Sequence, residues 1–158
     1  MPYLLFLHFL LTALLCGLIW TVQLVHYPLF RFIDEAVFTQ FLRLHMAKIS
    51  LLVVPWMIGE LFLSIFLYYQ SRVRSFLGVS FSQVDLKLYM LILMLLTIAV
   101  WGWTFAVNSP AHLKLLNGKS LEQVNSLVLG NWPRTILWTI KLSFFMRLFF
   151  VYFKRLGV

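Results

Sequence analysis

Four long apolar stretches constrain the fold of this chain more than any other feature of its sequence. They run from about Leu4 to Val25, from about Ile49 to Tyr69, from about Leu86 to Val107 and from about Pro133 to Phe153. A helix of about 20 residues crosses about 30 Å of hydrocarbon, so each stretch suits a transmembrane helix and is too long for a barrel strand. Only helices and closed barrels satisfy their backbone hydrogen bonds inside lipid. The sequence therefore predicts an all-α fold, a four-helix transmembrane bundle in a single integral membrane domain over residues 1–158.

The composition excludes soluble classes of protein. Hydrophobic residues make up 62% of the chain and charged residues 11%, whereas soluble domains have roughly 45–50% and about 25%. The net charge of +8 would suggest nucleic acid in a soluble protein, but most basic residues here flank apolar stretches, where they meet anionic headgroups. We therefore predict a multi-pass protein of the cell membrane, with the lipid bilayer as its partner and no nucleic acid.

Start and stop residues divide the chain into elements. Asp34 is predicted to cap the second long helix, and Pro55 to kink it. Gly118 is predicted to end a first short helix and Gly130 a second one, with Pro133 in the first turn of the last long helix. The predicted long helices cover about 4–26, 34–70, 83–107 and 132–154, and short interfacial helices at one end of the bundle cover about 110–116 and 121–129.

Capping residues support three of these boundaries. Ser82 and Asp85 have the spacing of a capping box that opens the third long helix. Asn108 is predicted to cap the first short helix, and Ser120 with Gln123 to open the second.

Three of the four histidines are predicted to gather at one membrane face. His26 ends the first long helix, His45 enters the second and His112 follows the third. Neutral imidazoles from separate helices can bind a transition metal or haem, or move protons. We therefore predict these histidines as catalytic residues and as ligands of haem or a transition metal. Histidine is also common at membrane interfaces, so an interfacial role without a ligand remains an alternative.

The residues predicted to bind substrate or cofactor lie at the same membrane face. Gln23 is one turn below the first of these histidines, and Asn131 with Arg134 begins the last long helix. We predict that Gln23 and Asn131 orient the imidazoles and that Arg134 holds an anionic group or a quinone oxygen. Tyr27 is predicted to turn the chain over the site, and Trp132 to contribute to binding beside Asn131.

A second polar group is predicted deeper in the membrane. His8 lies 18 residues before His26, about 27 Å along a helix. Glu60 lies 15 residues after the second-helix histidine, about 22 Å along a helix and so at a depth similar to His8. A charge at the bilayer centre costs about 2.5–3.5 kcal/mol. Glu60 should therefore face the bundle and pair with His8, Arg147 or Lys141.

Two interpretations of Glu60 remain open. As a catalytic residue it would accept or relay a proton. Alternatively it forms a structural ion pair that sets the register of the helices, or Lys141 and Arg147 extend along the apolar surface towards the interface.

Aromatic residues make up 18% of the chain and admit two explanations. Trp and Tyr form belts at membrane interfaces, and aromatic rings pack between helices. Trp101 and Trp103 also flank Gly102, which leaves a groove that would suit a flat lipophilic ligand. Belt or core packing is the simpler of the two.

Short motifs resemble one group of small bacterial four-helix membrane proteins. They are the segment 20–30 (WTVQLVHYPLF), the segment from Pro55 to Glu60 and the segment 131–135 (NWPRT). The layout and these motifs are similar to those of the anthrone-oxygenase-like group, whose members with assigned activity oxidise polycyclic anthrones with dioxygen. The resemblance implies a lipophilic substrate and a site near the polar cluster.

Two classes of function follow. The first is a membrane-embedded redox protein, an oxidoreductase that acts on a lipophilic small molecule through a histidine-based haem or metal site. The second is not an enzyme: it is a membrane helper or assembly subunit, or a transporter protomer. Four helices are few for a translocation path, so the second class implies a homo-oligomer or a partner membrane protein.

Overall fold

The computed structural model describes residues 2–71 and 83–156, and within these ranges it contains helices and no β-strand. The elements are α1 (Pro2–Thr21), a π-helical turn (Val22–His26), α2 (Tyr27–Leu29), a 3-10 turn (Phe30–Phe32), α3 (Glu35–Gln70), α4 (Gln83–Trp103), a second π-helical turn (Thr104–Asn108), α5 (Ser109–Leu115) and α6 (Leu121–Leu156). The four long helices pack in the cyclic order α1, α3, α4, α6. The predicted four-helix bundle is therefore confirmed.

Three helical segments are long and apolar enough to cross a membrane, namely Tyr3–Phe32, Glu35–Gln70 and Leu86–Leu115. The fourth long helix of the described chain, α6, carries cationic side chains within its apolar stretch. Large apolar side chains such as Phe62 and Ile98 are exposed on the outside of the bundle, which suits a surface that faces lipid. These features indicate a membrane protein.

Two apolar cores fill the bundle, one towards each end. The first core lies near the C-terminal ends of α1 and α4 and centres on Phe30, Leu42 and Trp138. The core at the opposite end centres on Leu5 and Phe145. On each long helix, buried polar side chains lie between the residues of the two cores. A layer of polar groups therefore separates two apolar regions.

The first helix does not end at His26, and Tyr27 does not turn the chain, contrary to the prediction. The helix continues through Pro28 to Phe32, and the chain reverses at Ile33, which is extended. In the π-helical turn before Pro28, the N–H of Tyr27 bonds to the carbonyl five residues earlier. A proline ring collides with the carbonyl four residues before it in a regular helix. Here that carbonyl belongs to the wider π-helical turn, so the collision is avoided and the helix continues through the proline.

The same arrangement recurs before Pro110. The π-helical turn Thr104–Asn108 continues α4 into α5. Asn108 makes no capping hydrogen bond and instead donates from Nδ2 to Oδ1 of Asn131 at 3.3 Å. The predicted capping role of Asn108 is therefore wrong, because its side chain is buried against α6.

The predicted short helix 121–129 and the predicted helix 132–154 are one helix, α6. Gly130 does not end a helix, and Pro133 lies inside α6 rather than at its start. A Cβ atom at Gly130 would lie 3.2 Å from Cγ1 of Val107, and Nε1 of Trp103 donates to the Gly130 carbonyl at 2.8 Å. The glycine is therefore required for close packing against the end of α4, not for a turn.

Other boundaries agree with the prediction. Oδ1 of Asp34 accepts from the N–H of Ala36 at 2.8 Å and caps α3, which runs through Pro55. The chain turns after α5 at Gly118, whose φ is 138°. Ser120 accepts from the N–H of Gln123 at 3.4 Å, although the helix that it opens is the long α6. The predicted capping box at Ser82 lies outside the described residues.

We predict that Gly130→Leu destabilises the bundle by about 1–3 kcal/mol, because the new side chain would collide with Val107 in a closely packed contact. The control is Gly17→Leu, since a Cβ at Gly17 meets no atom within 4 Å. Thermal unfolding in detergent should show a lower midpoint for the Gly130 variant alone. Equal midpoints for the two variants would contradict this account of the α4–α6 contact.

Candidate functional site

The three predicted histidines come together in space. His26 lies at the end of the first π-helical turn, His45 on α3 and His112 on α5. Nε2 of His26 lies 2.9 Å from Nδ1 of His45, and the ring centroids of His45 and His112 are 5.9 Å apart. The prediction that they gather on one side of the bundle is confirmed.

Aromatic side chains hold these imidazoles in place. The Tyr27 hydroxyl lies 2.8 Å from Nε2 of His112, and Tyr27 is buried. Phe30 packs edge-on against His45, and Phe41 stacks on the same ring with centroids 6.2 Å apart. The histidine cluster therefore packs against aromatic residues at the edge of the apolar core.

The imidazoles are held by hydrogen bonds to one another and to Tyr27 rather than around one common point. A three-histidine metal centre needs imidazole nitrogens at about 2.0–2.1 Å from one common point. Here His26 and His45 contact each other, and His112 contacts Tyr27. No group of three or more His, Cys, Asp or Glu side chains in the described part of the chain is placed to hold a metal ion. Haem or a transition metal as the cofactor stays a prediction.

A cavity of about 370 Å³ lies between α1, α3, α6 and the segment from α4 to α5. This volume falls within the range of about 300–1,000 Å³ that is common for small-molecule sites. Its wall is mainly apolar, with Ile19, Met57 and the indoles of Trp101 and Trp138. Tyr27, Asn108, His112 and Arg134 are among its polar residues.

Four residues that line the cavity have a buried polar atom without a hydrogen-bond partner among the described residues. The atoms are Nε1 of Trp101, Oδ1 of Asn108, Nδ1 of His112 and Nε of Arg134. An unsatisfied buried polar group costs about 1–3 kcal/mol. Trp101 and Arg134 can only donate, and Oδ1 of Asn108 can only accept. A bound molecule with a carbonyl oxygen would accept from the donors, and one with a hydroxyl group would also donate to Oδ1 of Asn108.

Gln23 and Asn131 do not orient the histidines, contrary to the prediction. Oε1 of Gln23 accepts from Nδ2 of Asn131 at 2.8 Å, and Nε2 of Gln23 donates to the Val128 carbonyl at 3.1 Å. Because α6 is continuous through Asn131, this amide is buried against the first π-helical turn. The pair therefore joins α6 to that turn.

Trp132 does not line the cavity, and its binding role stays a prediction. Its side chain is 36% exposed and packs edge-on against Trp20, with centroids 5.9 Å apart. Arg134 and Trp138 lie on one face of α6 because they are four residues apart. Trp132 is two residues before Arg134 and consequently points to another side of the helix.

Most of the cavity wall was not predicted as a site, and two of its residues, Asn108 and Trp138, could have been found from the sequence. Asn108 is four residues before His112, and Trp138 is four residues after Arg134. Residues four apart share a helix face, so extending the face from each predicted residue would have found them. Trp101 was predicted to belong to a belt or the core, and its indole lines the cavity instead.

The deeper polar group forms a layer, which we call the polar layer, of His8, Glu60, Ser64, Thr97 and Lys141. Oε1 of Glu60 lies 2.9 Å from Nε2 of His8 and accepts from the hydroxyls of Ser64 and Thr97, each at 3.1 Å. The Lys141 ammonium also contacts Glu60 and Thr97.

The predicted depth and pairing of Glu60 are confirmed for His8 and Lys141. His8, Glu60 and Lys141 are each 0% exposed, so Lys141 does not extend towards the interface, contrary to that alternative. Arg147 is exposed and is not part of the polar layer.

Comparisons with family models, with curated proteins and with solved structures find no match to this chain. The resemblance to the anthrone-oxygenase-like group therefore stays a prediction.

Proposed function

We propose that this chain is a multi-pass protein of the cell membrane that binds a flat lipophilic molecule with oxygen substituents and oxidises it. The observation that carries the proposal is the set of unpartnered polar atoms on the wall of an otherwise apolar cavity. Apolar walls select a lipophilic body, and a few convergent polar atoms select and orient its oxygens.

The cavity wall favours an aromatic molecule with a carbonyl group. The indoles of Trp101 and Trp138 provide flat surfaces on which aromatic rings pack favourably. The resemblance to the anthrone-oxygenase-like group supports the same class, since anthrones are fused aromatic ketones. We infer an anthrone-type ketone as the substrate class.

The polar end of the cavity is suited to hold the carbonyl oxygen. Arg134 supplies a positive charge and an unpartnered N–H. With the Tyr27 hydroxyl donating to Nε2 of His112, the imidazole carries its hydrogen on Nδ1, which then provides a second donor. When the ketone loses a proton from its methylene group, negative charge develops on this oxygen. Fixed donors and a cation in an apolar cavity stabilise that charge.

Oxidation of the resulting enolate by dioxygen completes the reaction. The methylene group becomes a second carbonyl, one oxygen atom enters the product, and the other leaves as water with the two methylene hydrogens. Dioxygen accepts the four electrons that the carbon loses. The role of dioxygen is inferred from the family resemblance. The role of Arg134 and His112 is inferred from their positions on the cavity wall.

The cavity has a rim that faces the lipid side of the bundle. Val54 of α3, Phe105 of the second π-helical turn and Leu113 of α5 line the cavity and are 42%, 63% and 57% exposed. Val54 is near the middle of a helix that is long enough to cross a membrane. We infer that the substrate enters from the hydrocarbon between α3 and the α4–α5 segment.

Arg134→Met should weaken the binding of anthraquinone by about 10- to 100-fold, because a hydrogen bond to a charged group contributes about 1.5–3 kcal/mol. Anthraquinone is the probe because it carries carbonyl oxygens and cannot be oxidised further at its central ring. Binding is measured by quenching of tryptophan fluorescence in detergent micelles.

The matched control is Arg147→Met, on the same helix and exposed, which should bind as tightly as wild type. Equal affinity of the Arg134 variant and wild type would contradict the proposed orientation. No binding by wild type would overturn the proposed function and favour a non-enzymatic helper that acts through a partner chain.

Val54→Phe should slow both binding and release of anthraquinone by a similar factor, so that the dissociation constant changes much less than either rate. A group at an entrance raises the barrier in both directions, and Val54 is at the rim of the cavity rather than at its polar end. Stopped-flow transfer from lipid vesicles measures the two rates. The control Leu52→Phe, exposed on the same helix but outside the cavity lining, should have no effect. Equal rates for Val54→Phe and wild type would exclude entry at this rim.

A further inference from the structure

Asn108 differs from the other residues of the described chain that carry an unpartnered buried atom on the cavity wall. Nε1 of Trp101 and Nε of Arg134 can only donate, and Nδ1 of His112 donates when the Tyr27 hydroxyl donates to the other ring nitrogen. Oδ1 of Asn108 can only accept, and this side chain is 2% exposed. A ligand that offers only carbonyl oxygens would therefore leave this buried acceptor without a hydrogen bond.

The orientation of the Asn108 amide is set by a chain of three side-chain amides, which we call the amide chain. Nε2 of Gln23 donates to the main-chain carbonyl of Val128 at 3.1 Å, and a carbonyl can only accept. Oε1 of Gln23 therefore accepts from Nδ2 of Asn131 at 2.8 Å. Oδ1 of Asn131 in turn accepts from Nδ2 of Asn108 at 3.3 Å. Each amide fixes the next one, so Asn108 directs its nitrogen to Asn131 and keeps its oxygen free.

The burial of the amide chain makes the opposite orientation unfavourable. Gln23 and Asn108 are each 2% exposed, and Asn131 is 0% exposed. Turning the Asn108 amide by half a turn would place its oxygen against Oδ1 of Asn131, where two buried acceptors have no hydrogen between them. Gln23 and Asn131 do not line the cavity, whereas Asn108 does. Asn108 is therefore the member of the amide chain that a bound molecule contacts.

The free acceptor belongs to the polar end of the cavity. Asn108 is four residues before His112, so the two side chains lie on one face of the segment from α4 to α5. Its partner Asn131 is three residues before Arg134 on α6, about 4.5 Å along the helix. All three polar groups at this end can therefore contact one region of a ligand.

A hydroxyl group is the simplest group that satisfies this end of the cavity. It donates the hydrogen that Asn108 requires, and its lone pairs accept from an N–H group such as that of Arg134. A carbonyl or ether oxygen accepts but cannot donate. The rest of the wall is mainly apolar and includes two indoles, which suit a lipophilic body with aromatic rings. A hydroxyl group on an aromatic ring is a phenol.

We propose that the cavity selects lipophilic phenols and that Asn108 is the residue that determines this selectivity. The phenol hydroxyl donates to Oδ1 of Asn108, while Gln23 and Asn131 are positioning residues that keep this oxygen directed at the ligand. The inference rests on the proposed function in one respect, since it needs an aromatic molecule bound in the cavity. It requires neither the oxidation nor the family resemblance, and it adds a hydroxyl group to the substrate.

The test compares the binding of hydroxyfluorene and methoxyfluorene, which carry oxygen on the same ring carbon. Both molecules are flat and lipophilic, and both oxygens accept, but only the hydroxyl donates. Isothermal titration calorimetry in detergent micelles measures the dissociation constants, with protein-free micelles as the blank. Wild type should bind hydroxyfluorene about 5- to 100-fold more tightly, which corresponds to the cost of about 1–3 kcal/mol for a buried acceptor without a donor. Fluorene, which has no methyl group, should also bind more weakly than hydroxyfluorene.

Variants identify the acceptor that recognises the hydroxyl. Asn108→Leu removes the acceptor and should bring the ratio of the two dissociation constants close to one. Gln23→Met retains Asn108 but removes the donor to Val128, so the amides can turn and the ratio should also fall towards one. The matched control is Asn125→Leu, an exposed position on α6 outside the cavity lining, which should keep the wild-type ratio.

The outcomes distinguish this inference from the proposed function. Equal affinity of wild type for hydroxyfluorene and methoxyfluorene overturns the inference whether or not the variants fold, and the proposed function survives if wild type binds anthraquinone. A preference for the hydroxyl that persists in Asn108→Leu also overturns the inference, and one that persists in Gln23→Met overturns the positioning role of the amide chain. Binding of hydroxyfluorene without binding of anthraquinone supports the inference and overturns the proposed ketone. If no probe binds to wild type, both proposals are overturned.

Discussion

The ion pair between Glu60 and Lys141 is the constraint on which the rest of the structure depends. Both side chains are fully buried in a chain whose helices face lipid, where an unpaired charge is costly. Removing one partner of a buried pair typically costs about 3–5 kcal/mol. Since His8 and Thr97 bind the same carboxylate oxygen, all four long helices must keep one relative height. The fixed relative height of the four long helices also aligns the histidines and the cavity wall at the other end of the bundle.

The polar layer also explains why the cavity lies where it does. It separates the two apolar cores, and the core on the cavity side is interrupted by the two π-helical turns. A π-helical turn rotates the residues that follow it relative to a regular helix, and such turns are frequent at functional sites. One turn precedes Tyr27 and the other precedes His112. The side chains of Tyr27 and His112 contact each other. The prolines that require these turns thus help to place the polar end of the cavity.

Properties that depend on helix rise were predictable from the sequence, and properties that depend on contacts between helices were not. Counting residues at a constant rise placed His8 level with Glu60 and brought three histidines to one end. The same reasoning failed at Gly130, where a close approach of α4, rather than a turn, explains the glycine. It failed for Asn131 because α6 continues through it. Helix propensity describes one helix at a time. Packing between helices overrides it, and this packing cannot be read from residue spacing within one helix.

The polar end of the cavity and the polar layer are separate, and their separation has a physical reason. A cation and fixed donors stabilise a developing oxyanion, whereas a carboxylate beside the same cation would neutralise it. On α6, Trp138 lies between Arg134 and Lys141, which is the residue that this helix contributes to the polar layer. The Glu60 carboxylate therefore contacts Lys141 and His8 instead of Arg134.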